Sequence, residues 1–160
     1  MHRPIRSLIA ALLSLFAGAT ASVSLATEAI VENYGNTPIF VAVAHQRPSD
    51  NHIVKGWFRV DPSEQKTFTS PDNQQMYMLI HREGVPVIFN HHQEFRRFPV
   101  SVGKRFRVDR PDDDNGIRFL HWGTNLEYAA NVIKGQYPEG WDRSEFFYVG
   151  TGVQRLEVRP

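Results

Sequence analysis

The sequence contains no cysteine. Disulfides, thiolate nucleophiles and cysteine-ligated zinc or iron–sulfur sites are therefore all excluded. Charge of one sign is also lacking, with 18 Lys+Arg against 17 Asp+Glu and a net charge of +1. A general nucleic-acid binder carries a basic excess on one face, so nucleic acid is not an expected partner. Neither a G-x-S-x-G elbow nor a phosphate-binding P-loop occurs, which removes the commonest hydrolase and nucleotide signatures. Two near-misses fail on inspection. Ser63-Glu64-Gln65-Lys66 spells S-x-x-K, but its serine follows Pro62 in a turn instead of opening a helix. Aligning Gly116 with the turn glycine of a calcium loop puts Pro111 and Trp122 where oxygen ligands are required. What remains is a chain of 160 residues, a length for one domain that folds by packing alone.

The long apolar run that does occur is N-terminal. Arg3 and Arg6 precede Leu8–Ala17, and the small-residue triplets Ala19-Thr20-Ala21 and Ser24-Leu25-Ala26 follow. Basic, apolar and small-residue regions in that order are those of a secretory signal peptide. The expected segment is 1–21, with cleavage after residue 26 as the alternative. No cysteine follows the run, so a lipid-anchored lipoprotein is excluded. The competing reading is a retained N-terminal membrane anchor, because no charge interrupts Arg6 to Glu28. An exported protein, periplasmic or secreted, is therefore expected, with no transmembrane span left once the signal is cleaved. Cleavage after Ala21 removes two of the 18 cations, leaving 16 against 17 anions and a net charge of −1.

The rest of the chain, 27–160, reads as a single β-rich domain. Ile39-Phe40-Val41-Ala42-Val43-Ala44 is a β-branched and apolar run behind Pro38, and Val54, Phe58 and Val60 mark the next. Gln75–Ile80 is apolar on both faces, and Met76 and Met78 on one face read as core filling. Val85, Val87 and Phe89 follow the Glu83-Gly84 turn. Phe106 and Val108 alternate with Arg105 and Arg107, the pattern of a strand with one wet face. Asn115-Gly116 then predicts a hairpin to a partner strand over Ile117–Trp122. Two further strands are expected over Glu145–Val149 and Val153–Val158. Short strands between Gly, Pro and Asx turns predict a mainly β fold, an antiparallel β-sandwich or barrel-like domain. One short helix is predicted at about 125–134. There Thr124-Asn125-Leu126-Glu127 fits a capping box, Leu126, Ala129, Ala130 and Ile133 form a stripe, and Gly135 supplies the stop.

A succession of short motifs runs through the first half of this domain. Asn36-Thr37 leads into Val41-Ala42-Val43, then Lys55-Gly56-Trp57-Phe58, then Val60-Asp61-Pro62-Ser63-Glu64, then Tyr77. This order resembles the small exported bacterial family known as domain of unknown function one thousand and thirty-six, over Val31–Val108. The resemblance implies a small secreted or periplasmic β domain and supplies no activity. Gln65 stands where that family carries cysteine, and the extension 116–160 is not covered by the resemblance.

Candidate site residues fall into two sets. Arg96, Arg97, Arg105 and Arg107 interleave with aromatics, a combination suited to anionic ligands through charge and stacking. Trp57 and Trp141 follow glycines at strand ends, where exposed aromatics meet carbohydrate or protein and buried ones anchor a core. These six are the expected binding residues of a non-enzymatic domain whose partner is an envelope protein or an anionic or carbohydrate ligand. No cofactor is expected. The alternative is a small metal-binding or acid–base protein built on His81, His91, His92 and Glu94, the metal being a transition metal. No spaced ligand motif joins these four, and since adjacent residues of a strand point to opposite faces, His91 and His92 can share a metal only in a loop, which Asn90 and Gln93 favour.

Overall fold

Two central strands with apolar side chains on both faces set the architecture. The computed structural model describes residues 26–47, 51–71, 74–89, 94–111, 117–121, 127–129 and 137–160. Their strands are β1 (Thr27–Asn33), β2 (Ile39–Gln46), β3 (His52–Val60), β4 (Gln65–Ser70), β5 (Met76–Arg82) and β6 (Val85–Pro86). They continue as β7 (Phe95–Ser101), β8 (Phe106–Asp109), β9 (Arg118–His121), β10 (Glu127–Ala129), β11 (Trp141–Tyr148) and β12 (Val153–Val158). A small sheet has the order β12-β1-β4. The large sheet runs β10-β9-β8-β3-β2-β5-β11-β7, with β6 paired to β5. Pairing among the described strands is antiparallel except between β1 and β12.

Ile39, Val41 and Val43 of β2 join Met76, Met78 and Ile80 of β5 on one face of the large sheet. Ala42 and Ala44 join Tyr77 and Leu79 on the other. A sheet apolar on both faces needs cover on both. The small sheet covers the first face with Ala29, Val31, Leu156 and Val158. The large sheet covers its second face by curling until β7 packs against β3 and β8. Phe98, Phe106, Phe119 and Phe146 fill that hollow, all fully buried. The protein is thus a sandwich on one side and a half-barrel on the other, the mainly β antiparallel fold that the strand pattern predicts.

A bulge in β3 shapes the mouth of the half-barrel. Between the pairs Val41–Phe58 and Val43–Lys55, both Gly56 and Trp57 lie opposite Ala42 alone. The extra residue reverses the facing of the strand. Before it Val54 belongs to the hollow, and after it Phe58 and Val60 belong to the sandwich core. Trp57 is left at the rim of the hollow.

The β1–β2 connection is pinned by a buried side chain. Asn33 Nδ2 donates to Thr37 O at 2.9 Å and Val60 O at 3.0 Å, and its Oδ1 accepts from Gly35 N at 3.0 Å. Asn33→Ala strands the buried Val60 carbonyl and Gly35 amide and the partly buried Thr37 carbonyl, a loss of about 2 kcal/mol. Asn36→Ala, at an exposed position, should stay within about 0.5 kcal/mol. Urea unfolding of both variants checks the contrast, and equal midpoints would contradict it.

Several sequence expectations are met here and one is corrected. β9 is the antiparallel partner of β8, with Val108 opposite Phe119, while the turn expected at 115–116 lies outside the described residues. Glu83 (φ 52°) and Gly84 (φ 79°) form the two-residue turn from β5 to β6, with the positive φ pair that such hairpins need. Met76 and Met78 are fully buried in the sandwich core. The helix predicted at about 125–134 is not what Glu127–Ala129 forms. These residues make β10, with Tyr128 opposite Phe119, and the rest of that segment lies outside the described residues. A ten-residue helix is marginal alone, whereas the open edge of β9 offers backbone partners immediately. The expected signal segment also lies outside the described residues. No helix among the described residues is long and apolar enough to cross a membrane.

Candidate functional site

Where β3, β5, β7 and β11 meet at the rim of the half-barrel, they leave a cleft of about 520 Å³. That volume falls in the range of small-molecule sites. Trp57 enters it because of the β3 bulge, and its indole is fixed from across the hollow. Nε1 donates to Ser101 O of β7 at 2.8 Å. The ring lies 4.7 Å from His81 at an interplanar angle of 31°, and 5.8 Å edge-on from Phe106. His81 reaches the same cleft from β5, on the face it shares with Tyr77 and Leu79. Its Nε2 is buried and has no hydrogen-bond partner among the described residues. Burial lowers its pKa below the ordinary histidine value, so the imidazole is neutral at neutral pH.

The polar rim comes from other parts of the chain. Arg105 lines the cleft from the segment before β8, its guanidinium 5.3 Å from the Phe58 ring. Asp142 and Ser144 line it from β11. Asp142 Oδ1 accepts from Arg143 N at 2.6 Å. Val102 N donates to Gly140 O at 2.8 Å, tying the β7–β8 turn to the turn before β11. The cleft therefore joins an aromatic and aliphatic wall of Phe40, Trp57 and Val100 to one cation, one anion, a hydroxyl and a neutral imidazole.

Of the six expected binding residues, Trp57 and Arg105 line this cleft. Trp141 packs instead on Phe106 (5.5 Å) and Phe119 (4.7 Å), closing the hollow from below. Arg97 makes two bonds to Glu145 Oε1 of the neighbouring strand at 3.0 and 2.7 Å. Arg107 bonds both oxygens of Asp109 at 2.9 and 3.3 Å. Arg96 lies 3.5 Å from His52 Nε2 and over the Phe98 ring. The basic stretch is thus divided among separate partners.

Of the four residues of the metal alternative, the two that are described, His81 and Glu94, lie apart. Glu94 Oε1 accepts from Tyr77 OH at 2.7 Å. Burial, with that carboxylate beside it, pushes the Tyr77 hydroxyl up to about 12. His81 lies four residues farther along β5, about 13 Å from Tyr77 at the usual strand rise. His91 and His92 lie outside the described residues. No group of three or more histidine or carboxylate side chains able to hold a metal occurs among the described residues. Phe40, Asp142 and Ser144 escape sequence reasoning, because nothing local distinguishes them from ordinary strand residues.

A larger depression, about 670 Å³, lies between the β5–β6 hairpin and the end of β12. Three of its charged residues are already engaged. Arg159 bonds Glu157 at 2.6 Å, and Arg82 donates to Arg159 O. The rim cleft is the better site because the buried His81 nitrogen there lacks a partner among the described residues.

Fold and cleft together define the class, a small antiparallel β domain with a mixed aromatic and polar opening. No protein-family model matches the chain, and no curated protein matches it.

Proposed function

We propose that this chain is an exported, non-enzymatic binding domain of the bacterial cell envelope, and that the rim cleft seats its ligand. The carrying observation is convergence. Trp57, held by Ser101 O, meets His81, Arg105, Asp142 and Ser144 at one opening, although they come from four separate stretches of chain. The basic, apolar and small-residue order of 1–26 supports export. The resemblance to domain of unknown function one thousand and thirty-six supports the same class of small exported β domain.

Trp57 makes the reading testable by fluorescence. A panel of neutral disaccharides, polyphosphate and dipeptides is titrated into the intact protein, Trp57→Phe and Trp141→Phe. At least one probe should shift the emission of the intact protein and of Trp141→Phe, and leave Trp57→Phe unchanged. Silence across the panel would overturn the cleft as a binding seat. N-terminal sequencing of protein recovered from the bacterial envelope fraction tests export, and an intact Met1 would defeat signal cleavage.

A further inference from the structure

We infer that the ligand of the rim cleft is a neutral sugar, a mono- or disaccharide unit of a glycan. This rests on the cleft being the binding seat. The polar groups of the cleft set conflicting demands. Arg105 offers only donors, Asp142 only acceptors, and the Ser144 hydroxyl either. His81 Nε2, buried and unpartnered among the described residues, needs one partner. Sugar hydroxyls both donate and accept on adjacent carbons, so one small molecule answers the Asp142 carboxylate, the Ser144 hydroxyl and the unpartnered His81 nitrogen. Its C–H surface suits the apolar wall that includes Trp57 and Val100.

The rival chemistries fit less well. A polyanion needs an excess of cations, whereas here Arg105 is offset by Asp142 in the same opening. Arg97 and Arg107, which would extend a basic track, are bound to Glu145 and Asp109. An acyl chain would leave the buried His81 nitrogen without a partner.

Calorimetric titration of the full chain tests the inference with maltose, cellobiose and N,N′-diacetylchitobiose, and with polyphosphate and a dipeptide in parallel. The expected result is saturable heat with at least one disaccharide and none with polyphosphate. Asp142→Asn should weaken that binding about tenfold, because the charged acceptor is lost. The variant keeps the oxygen that caps Arg143 N, so its melting curve should be unchanged, and Trp57→Phe should weaken binding as well. Binding of polyphosphate or the dipeptide without any disaccharide would overturn the sugar and leave the cleft standing. Disaccharide binding that both variants retain would place the sugar elsewhere and overturn the inference. A neutral free sugar and a glycan end are then separated by repeating the titration with a long soluble glucan or chitin oligomer. Tighter binding of the longer chain identifies the polymer as source, and equal binding identifies the free sugar.

Discussion

Gly56→Ala should remove about 3 kcal/mol of stability, whereas alanine in place of a strand glycine ordinarily adds about 0.5–1 kcal/mol. A methyl group at this position would stand 2.8 Å from the Ala42 Cβ and 2.8 Å from the Phe106 ring. Neither neighbour has room to yield. Ala42 is a short stub on the central strand, and Phe106 is fully buried between Trp57 and Trp141. The substitution therefore forces β3 away from β2 at the bulge that aims Trp57 into the cleft. Gly84→Ala separates this crowding from backbone effects. Nothing lies within 4 Å of its added methyl, but its φ of +79° disfavours any side chain. That variant should lose only about 1 kcal/mol. Urea midpoints at unchanged m-value provide the measurement. Equal losses would mean that packing at Gly56 is not what the fold depends on.

Acid should unfold the protein earlier than its carboxylates alone would dictate. His45, near the end of β2, has its pKa pushed down to about 4, chiefly by burial and then by Lys55, His52, Arg47 and Arg107. Its Nδ1 also has no hydrogen-bond partner among the described residues. The unfolded chain binds this proton near pH 6.5, and the folded chain resists until about pH 4. Between those values the unfolded state holds more protons, so stability falls as pH falls. The contribution is fully present above pH 6.5, and its loss is complete below about 4, a change of about 3 kcal/mol. Depression of His81 by burial acts with the same sign. Denaturation of the intact protein and His45→Gln between pH 4 and 8 tests this, the variant giving the shallower profile. Parallel profiles would show that His45 does not carry the acid sensitivity.

Strands with a strong internal pattern were readable from the sequence. β2 and β5 announce themselves by β-branched or apolar runs, β12 by Leu156 and Val158 alternating with charged residues, and the β8–β9 pair by alternation on both sides of a turn. β1 and β4 were not. Gln65-Lys66-Thr67-Phe68-Thr69-Ser70 has Phe68 as its lone large apolar residue, and it is a strand because β1 offers it a full antiparallel register. The capping box at Thr124 illustrates the opposite error, a local signal at Glu127–Ala129 outweighed by the free edge of β9. For the cleft, the aromatic and basic members were legible as types, because tryptophan and arginine carry chemical meaning wherever they stand. Asp142 and Ser144 acquire meaning only when curling of the sheet brings β11 alongside β7, β5 and the β3 bulge.

The parallel pairing of β1 with β12 bears on how the chain reaches this state. Glu32 and Arg155, bonded at 2.7 Å across that pair, are 123 residues apart in sequence. The first strand of the domain therefore waits for the last before its sheet is complete. Until then Val41, Met78 and Ile80 on the large sheet lack half of their cover. High contact order of this kind slows folding and prolongs exposure of sticky surface. A chain so arranged completes the cover of its sandwich core only once Val153–Val158 is available to pair with Thr27–Asn33.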